Sequence, residues 1–528
     1  MRRLLTVLAA SVPLAAAVYL PTASAGAQDA STATASTCTA PAVKAPAGTK
    51  VESVTAVQQA GGTINGTGIL KGTVTGVPAF CEVTVTLTHP GAGDHAKVRT
   101  WLPLSGWNGR FQGLGGAAYL AGDNNVGLAT AVKNGYAAVT TDAGVGDALD
   151  TSWALDSEGK VDTALLTNFA SLSQHEASVV GKEVVDGVYG KRPAYSYFIG
   201  CSTGGRQGYM EAQRYPDDYE GILAEAPAVN WDEFEVATLW PQVVMNNEKT
   251  HPTNCEFKAF TDAAVKACDT LDGAKDGLVN DPSRCDFDPR RLIGTKVVCN
   301  GRELTITEAD AAVVRKIWDG PRTPSGKKLW YGVPIEADIS ALAGTDPFPV
   351  PAAWVKLWVA KNPTLDLSTI TYSQFTHLFK QSEAEYDKVI GTDDPDLSDF
   401  RQSGGKLLTW QGLADQYIPA EGTVHYRKQA EREMGGTKRV DDFYRLFLAP
   451  NTNHCGLDGR DGSTDGLAAL TSWVEHGKAP KTLPATLINA DGQSVSRDLC
   501  SYPRVSRYTG HGDPSLGSNF RCVLPSRH

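Results

Sequence analysis

The chain has 528 residues, with 49 basic and 59 acidic side chains, a net charge of −10 and 41% hydrophobic residues. That length leaves room for two or three packed domains. With no basic tract in an acidic chain, nucleic acid is not an expected partner.

The first residues read as an export signal. Arg2 and Arg3 precede a mostly apolar run over residues 4–20, and Ala23-Ser24-Ala25 is an A-x-A cleavage site. Pro13 and the small polar flank make the run too short for a membrane anchor. Residues 26–37 are rich in Ala, Ser, Thr and Gly and read as a leader. No other long apolar stretch follows, so the mature chain is expected to be soluble, extracellular and free of the membrane. The ten cysteines behind this signal favour disulfides over thiol chemistry. Candidate pairs are Cys38–Cys81, Cys201–Cys455, Cys268–Cys285, Cys255–Cys299 and Cys500–Cys522, but the count alone leaves connectivity open.

Residues 50–104 alternate Val and Thr with polar residues, as in Glu82-Val83-Thr84-Val85-Thr86-Leu87, and predict β-strands. Residues 109–116 predict a strand running into a glycine-rich loop, and residues 136–141 a short buried strand. Leu172, Val179, Val180, Val184 and Val188 have helical spacing, so residues 165–189 predict a helix ended by Gly190. A strand over 195–199 then leads into Gly200-Cys201-Ser202-Thr203-Gly204-Gly205-Arg206, followed by a helix over 205–214. From 228 to 400 the alternation stops, and Trp, Pro and four cysteines fill what reads as an inserted domain. Strands resume at 406–410 and 443–448. The tail, 480–528, reads as irregular, tied down by Cys500 and Cys522.

Strand–helix alternation implies a parallel sheet covered on both faces. Gly200, Ser202 and Gly204 form G-x-S-x-G between a strand and a helix, the nucleophile elbow of an α/β-hydrolase. Glycines flank the serine because larger side chains would clash at so tight a turn. The expected architecture is therefore an α/β-hydrolase fold with a large inserted lid. Residues 1–25 are the signal, 26–227 and 401–528 the two parts of the hydrolase domain, and 228–400 the lid.

The serine needs a base, and chain order requires it late. Of ten histidines, His454 follows a strand and a loop near the end of the α/β pattern. His175 sits mid-helix and reads as a hydrogen-bonded structural residue. His89, His95, His251, His377, His425, His476, His511 and His528 read as turn or surface residues. Asp415, just past the 406–410 strand, is the expected acid that orients the imidazole, with Asp458 as the alternative. The N–H groups of Thr203 and Gly116 are the expected oxyanion donors. Cys201 and Cys455 abut Ser202 and His454, so a bond between them would hold nucleophile and base together. Asp269, Asp272 and Asp276 lie within eight residues and could wrap a hard cation with oxygen ligands.

These motifs resemble the tannase/feruloyl esterase family of secreted α/β-hydrolases. Its Cys-Ser, Asp, His-Cys arrangement is matched by Cys201-Ser202, Asp415 and His454-Cys455. Its calcium loop is matched from Cys268 to Gly277, and Cys500-Ser501-Tyr502-Pro503 to Cys522 is similar to its C-terminal end. The resemblance implies a structural Ca2+ held by the side chains of Asp269, Asp272 and Asp276 and the carbonyls of Ala274 and Leu278, with no organic cofactor. It implies a serine esterase acting on a small aromatic ester or a feruloylated polysaccharide. Tannase activity on galloyl esters and cleavage of an aromatic diacid monoester are the alternatives. An inactive carbohydrate-binding protein is a further one, from another class. The chain departs from the family at two places: Ala117-Ala118-Tyr119 follows Gly115-Gly116 where the family has a longer glycine run, and Val145 stands where the family has histidine.

Overall fold

The computed structural model describes residues 37–457, 459 and 462–525. The expected signal peptide and leader, Asp458 and His528 lie outside these residues.

Nine strands form the central sheet: β1 (Lys50–Gln59), β2 (Phe80–Thr88), β3 (Ala96–Pro103), β4 (Arg110–Leu114), β5 (Ala137–Thr141), β6 (Tyr195–Cys201), β7 (Gly221–Glu225), β8 (Lys406–Gly412) and β9 (Tyr444–Ala449). They lie in the order β1-β2-β3-β5-β4-β6-β7-β8-β9. The first three run antiparallel to their neighbours; the rest are parallel. In β2 the residues alternate, with Val83, Val85 and Leu87 buried. In β5 every residue is buried, as a strand covered on both faces must be.

Helices α1 (Asn125–Lys133), α2 (Ser173–Tyr189) and α3 (Thr203–Arg214) pack on the sheet. Ahead of α2, residues 163–167 are helical and Asn168–Leu172 form a π turn, so the helix expected over 165–189 is widened at its start. The wider turn leaves carbonyls for other donors. The buried Arg206 guanidinium donates to Ala170 O at 2.7 Å and Phe169 O at 3.3 Å. Helix α2 buries Ala177, Val180, Val184 and Val185 and stops at Gly190, in the left-handed region at φ 66°.

Between β7 and β8, which pair directly, some 180 residues leave and return without adding a strand to the central sheet. This excursion holds helix α4 (Trp231–Thr238) and further helices, with Trp231, Trp354 and Trp358 fully buried in its core. Tyr119, Trp153 and Phe169 from the earlier part of the chain enter the same core.

The tail is regular, contrary to the expectation for residues 480–528. Residues 462–464, 482–488 and 494–500 form a three-stranded sheet, and 505–508 pairs with 520–523. Leu483, Ala485 and Leu487 alternate inward. Proline and glycine around them obscure this period of two in the sequence. Among the described residues no helix is long and apolar enough to cross a membrane.

Candidate active site

Ser202 sits between β6 and α3 with φ 64° and ψ −123°, a conformation ordinary side chains avoid. Its surroundings over-determine it. Ser202 N donates to Glu225 O at 3.0 Å, and its carbonyl accepts from Arg206 N and Ala228 N at 2.9 and 3.1 Å. The flanking glycines are steric necessities. A Cβ on Gly200 would stand 2.5 Å from Gly204 C, and one on Gly115 the same distance from Gly204 Cα. This close crossing brings the loop after β4 against the start of α3.

Asp415 follows β8 and is fully buried. Its Oδ1 accepts from Tyr417 N (3.0 Å) and Ile418 N (2.9 Å). Its Oδ2 accepts from Gln411 Nε2 (2.9 Å) and meets His454 Nδ1 at 2.8 Å. Four donors hold the carboxylate, so it cannot swing away from the imidazole. His454 N donates to Gln416 Oε1, and the Tyr417 ring packs edge-on to the His454 ring, 5.4 Å between centroids. With Nδ1 directed at Asp415, Nε2 is the nitrogen left to act as base.

All ten cysteines are paired: Cys38–Cys81, Cys201–Cys455, Cys255–Cys299, Cys268–Cys285 and Cys500–Cys522. The second brings the Cα atoms of Cys201 and Cys455 to 6.0 Å across 254 residues of chain. Ser202 and His454 consequently line the same cavity, of about 580 Å³, with Thr203, Gly115, Gly116, Ala117 and Ala118.

Thr203 opens α3, where a backbone N–H has no partner within the helix. Its hydroxyl donates to Ala118 O at 2.7 Å and ties the glycine loop to the elbow. The expectation for Gly116 needs correction. Its N–H is given to Gln207 Oε1 at 2.9 Å, because Gln207 projects from the first turns of α3 into the loop. The N–H of Gly115 goes to Ile199 O and that of Ala117 to Leu120 O, both at 3.0 Å. Ala118, also in the left-handed region at φ 50°, is the next amide of the loop. Gln207, Gln411 and Gln416 carry no motif and escape a sequence reading; each acts through a partner distant in the chain or fixed only by the fold.

The excursion supplies one wall of the cavity. Trp231, Phe234, Glu235 and Thr238 of α4 line it, with Phe348 and Val350. The spacing i, i+3, i+4, i+7 is the signal in the sequence that could have marked this face. Of the histidines read as bland, His175 is bonded to Asp218 at 2.7 Å and stacked on Tyr215. His89 is not a surface residue: it bridges Asp94 (2.6 Å) and Glu176 (2.9 Å).

The acidic loop lies away from this cavity. Asp269, Asp272 and Asp276 are all buried. Asp269 accepts from the amides of Asp276 and Gly277, Asp272 from Ala274 N and Asn280, and Asp276 from Leu278 N and Arg497. Three buried carboxylates against one cationic side chain are a donor set that suits a hard cation. Burial pushes the Asp276 carboxyl up to about 6. As placed, no three such side chains among the described residues converge to hold a metal; Asn280 and Arg497 occupy oxygens a cation would take. Asn489 Nδ2 donates to Asp276 O and Ala490 N to Gly277 O, so the loop is clamped to the tail.

Residues 81–523 match the family profile described as "Tannase and feruloyl esterase". A probable feruloyl esterase of Arthroderma benhamiae is 46% identical over 462 residues, covering 84% of this chain and 86% of that one. Among solved structures, tannin acyl hydrolase from Aspergillus niger superposes with a TM-score of 0.81 at 26% identity, covering 92% and 93% of the two chains. Feruloyl esterase B from Aspergillus oryzae gives 0.76 at 26% identity, covering 90% and 97%.

Proposed function

Because this chain belongs to the tannase and feruloyl esterase family, and is a carboxylic ester hydrolase of that type, we propose that it is an exported serine esterase releasing hydroxycinnamic acids such as ferulate from plant cell-wall polysaccharide. The observation that carries the chemistry is the Asp415–His454 bond beside a strained Ser202 in one cavity. Ser202 Oγ attacks the ester carbonyl while His454 Nε2 takes its proton. Asp415 holds the Nδ1–H tautomer and stabilises the imidazolium. The oxyanion is met by the Thr203 N–H and, with Gly115, Gly116 and Ala117 committed elsewhere, by the Ala118 N–H. His454 protonates the leaving alcohol, and a water activated by the same nitrogen then cleaves the acyl-enzyme. Five disulfides favour an oxidising compartment. The 46% relative favours hydroxycinnamate, whereas the likeness to a tannin acyl hydrolase keeps galloyl esters as the second reading.

The test is a panel of methyl ferulate, caffeate and gallate and a terephthalate monoester, with Ser202→Ala as control. Wild type should favour the hydroxycinnamates, and the variant should lose at least about 10⁴-fold in kcat. Ready cleavage of methyl gallate with none of methyl ferulate would overturn the substrate; equal rates for variant and wild type would overturn the nucleophile. We further propose that Asp269, Asp272 and Asp276, with the carbonyls of Ala274 and Leu278, bind a structural Ca2+ once Asn280 and Arg497 yield; its contribution there is to cross-link the loop.

A further inference from the structure

Several polar groups that line the cavity have no part in the ester chemistry. Helix α4 turns Trp231, Phe234, Glu235 and Thr238 toward it. Trp231 and Phe234 supply ring faces, and the Trp231 Nε1–H is itself buried without a partner. The Thr238 hydroxyl is satisfied, donating to Phe234 O at 2.7 Å. Glu235 differs: it is 4% exposed, and its Oε2 is enclosed without a hydrogen-bond partner. The Tyr119 hydroxyl donates to Val350 O at 2.9 Å and not to Glu235. No cation pairs with Glu235 among the described residues. An unpaired carboxylate buried among aromatic rings is too costly to stay charged. Burial accordingly pushes the group up to about 8, so at neutral pH it is mainly the acid. A neutral carboxyl presents one donor and one good acceptor side by side. The enclosed Oε2 is left without a partner in the free enzyme, a cost that a leucine of similar size would avoid.

We infer that Glu235 determines specificity for the acyl ring, hydrogen-bonding a phenolic hydroxyl on the aromatic-acid half of the ester. A phenol both donates and accepts, matching the acid reciprocally. Its ring would lie against Trp231 and Phe234, on the same face of α4. This rests on the reading that the cavity takes an aromatic acyl group, but it concerns the hydroxyl and not the ring class. An ester whose ring lacks a hydroxyl leaves the Glu235 carboxyl buried and unpaired, so the site discriminates against it.

The experiment compares matched esters: methyl 4-hydroxycinnamate with methyl cinnamate, and methyl 4-hydroxybenzoate with methyl benzoate. Wild type should prefer the hydroxylated member. Glu235→Leu should lower kcat/KM for that member about tenfold to a hundredfold, and leave its unsubstituted partner unchanged or faster. Glu235→Gln, which keeps a donor and an acceptor, should retain the preference within a few-fold. Should the leucine variant fail to accumulate, Glu235→Ala replaces it, with 4-hydroxycinnamate and cinnamate compared as competitive inhibitors. Equal losses for both members of a pair, or no preference in wild type, would overturn the assignment. Failure of the hydroxycinnamate reading shows separately, as wild type favouring the benzoate pair while the effect of Glu235 within that pair persists. If wild type turns over neither ring class, both readings fall.

Discussion

Gln207 illustrates how a residue outside the reacting atoms sets their geometry. Its Oε1 accepts from Gly116 N and its Nε2 donates to Ala121 O at 2.9 Å, so one side chain pins both limbs of the oxyanion loop. Gln207→Leu should leave a buried amide unpaired and let the loop drift. Because the oxyanion is bound only in the transition state, the expected result is a fall in kcat of about tenfold to a hundredfold with KM little changed; a rise in KM alone would place the loop in ground-state binding. His89 makes a different residue-scale statement. Burial works to lower its pKa, but the hydrogen bond it donates to Asp94 and the charge of Glu176 outweigh it, and the imidazolium is favoured. A histidine raised in the folded state contributes stability that is complete below its unfolded value of about 6.5, and that contribution is lost as pH rises through the folded value. The melting temperature of wild type should therefore decline across this window relative to that of His89→Gln. Parallel pH profiles of the two proteins would show that the bridge to Asp94 and Glu176 is not linked to folding.

At the scale of elements, the Cys201–Cys455 bond joins the end of β6 to the loop after β9. In the chain-entropy model a loop of this length is worth roughly 5 kcal/mol, an upper figure. The bond also ends beside both Ser202 and His454, so its removal should act on geometry before it acts on folding. For the Cys201→Ala/Cys455→Ala double variant, kcat on methyl ferulate should fall at temperatures where the circular dichroism is still native. Activity and structure lost together on heating, with native kcat below, would make the bond a stability element alone. The elbow itself was legible in the sequence, since G-x-S-x-G between an apolar strand and a helical pattern specifies a local turn. The tail strands were not: Thr482–Ile488 and Ser494–Cys500 are stabilised by pairing with each other and by the short strand at 462–464, contacts that no local window contains.

For the whole molecule, the acidic loop ties the excursion to the tail through Asp276–Arg497, Asn489 and Ala490. If it holds calcium, chelation should lower the melting temperature while turnover below the transition persists, and added Ca2+ should restore it. Immediate loss of turnover on chelation would put the ion in the chemistry instead. An unchanged melting temperature would mean that Arg497 and Asn280 alone balance the carboxylates.

The order Ser202, Asp415, His454, the elbow, the cysteines beside nucleophile and base, and the acidic loop can all be read along the chain, because they depend on residue type and short spacing. Packing set the rest: Gly116 gives its N–H to Gln207, His89 lies between two carboxylates, and Glu235, on the cavity wall, holds an enclosed oxygen without a partner. The reason is physical: a hydrogen-bond donor or a buried acid is defined by what surrounds it, and those surroundings come from segments tens to hundreds of residues away, brought together only by packing.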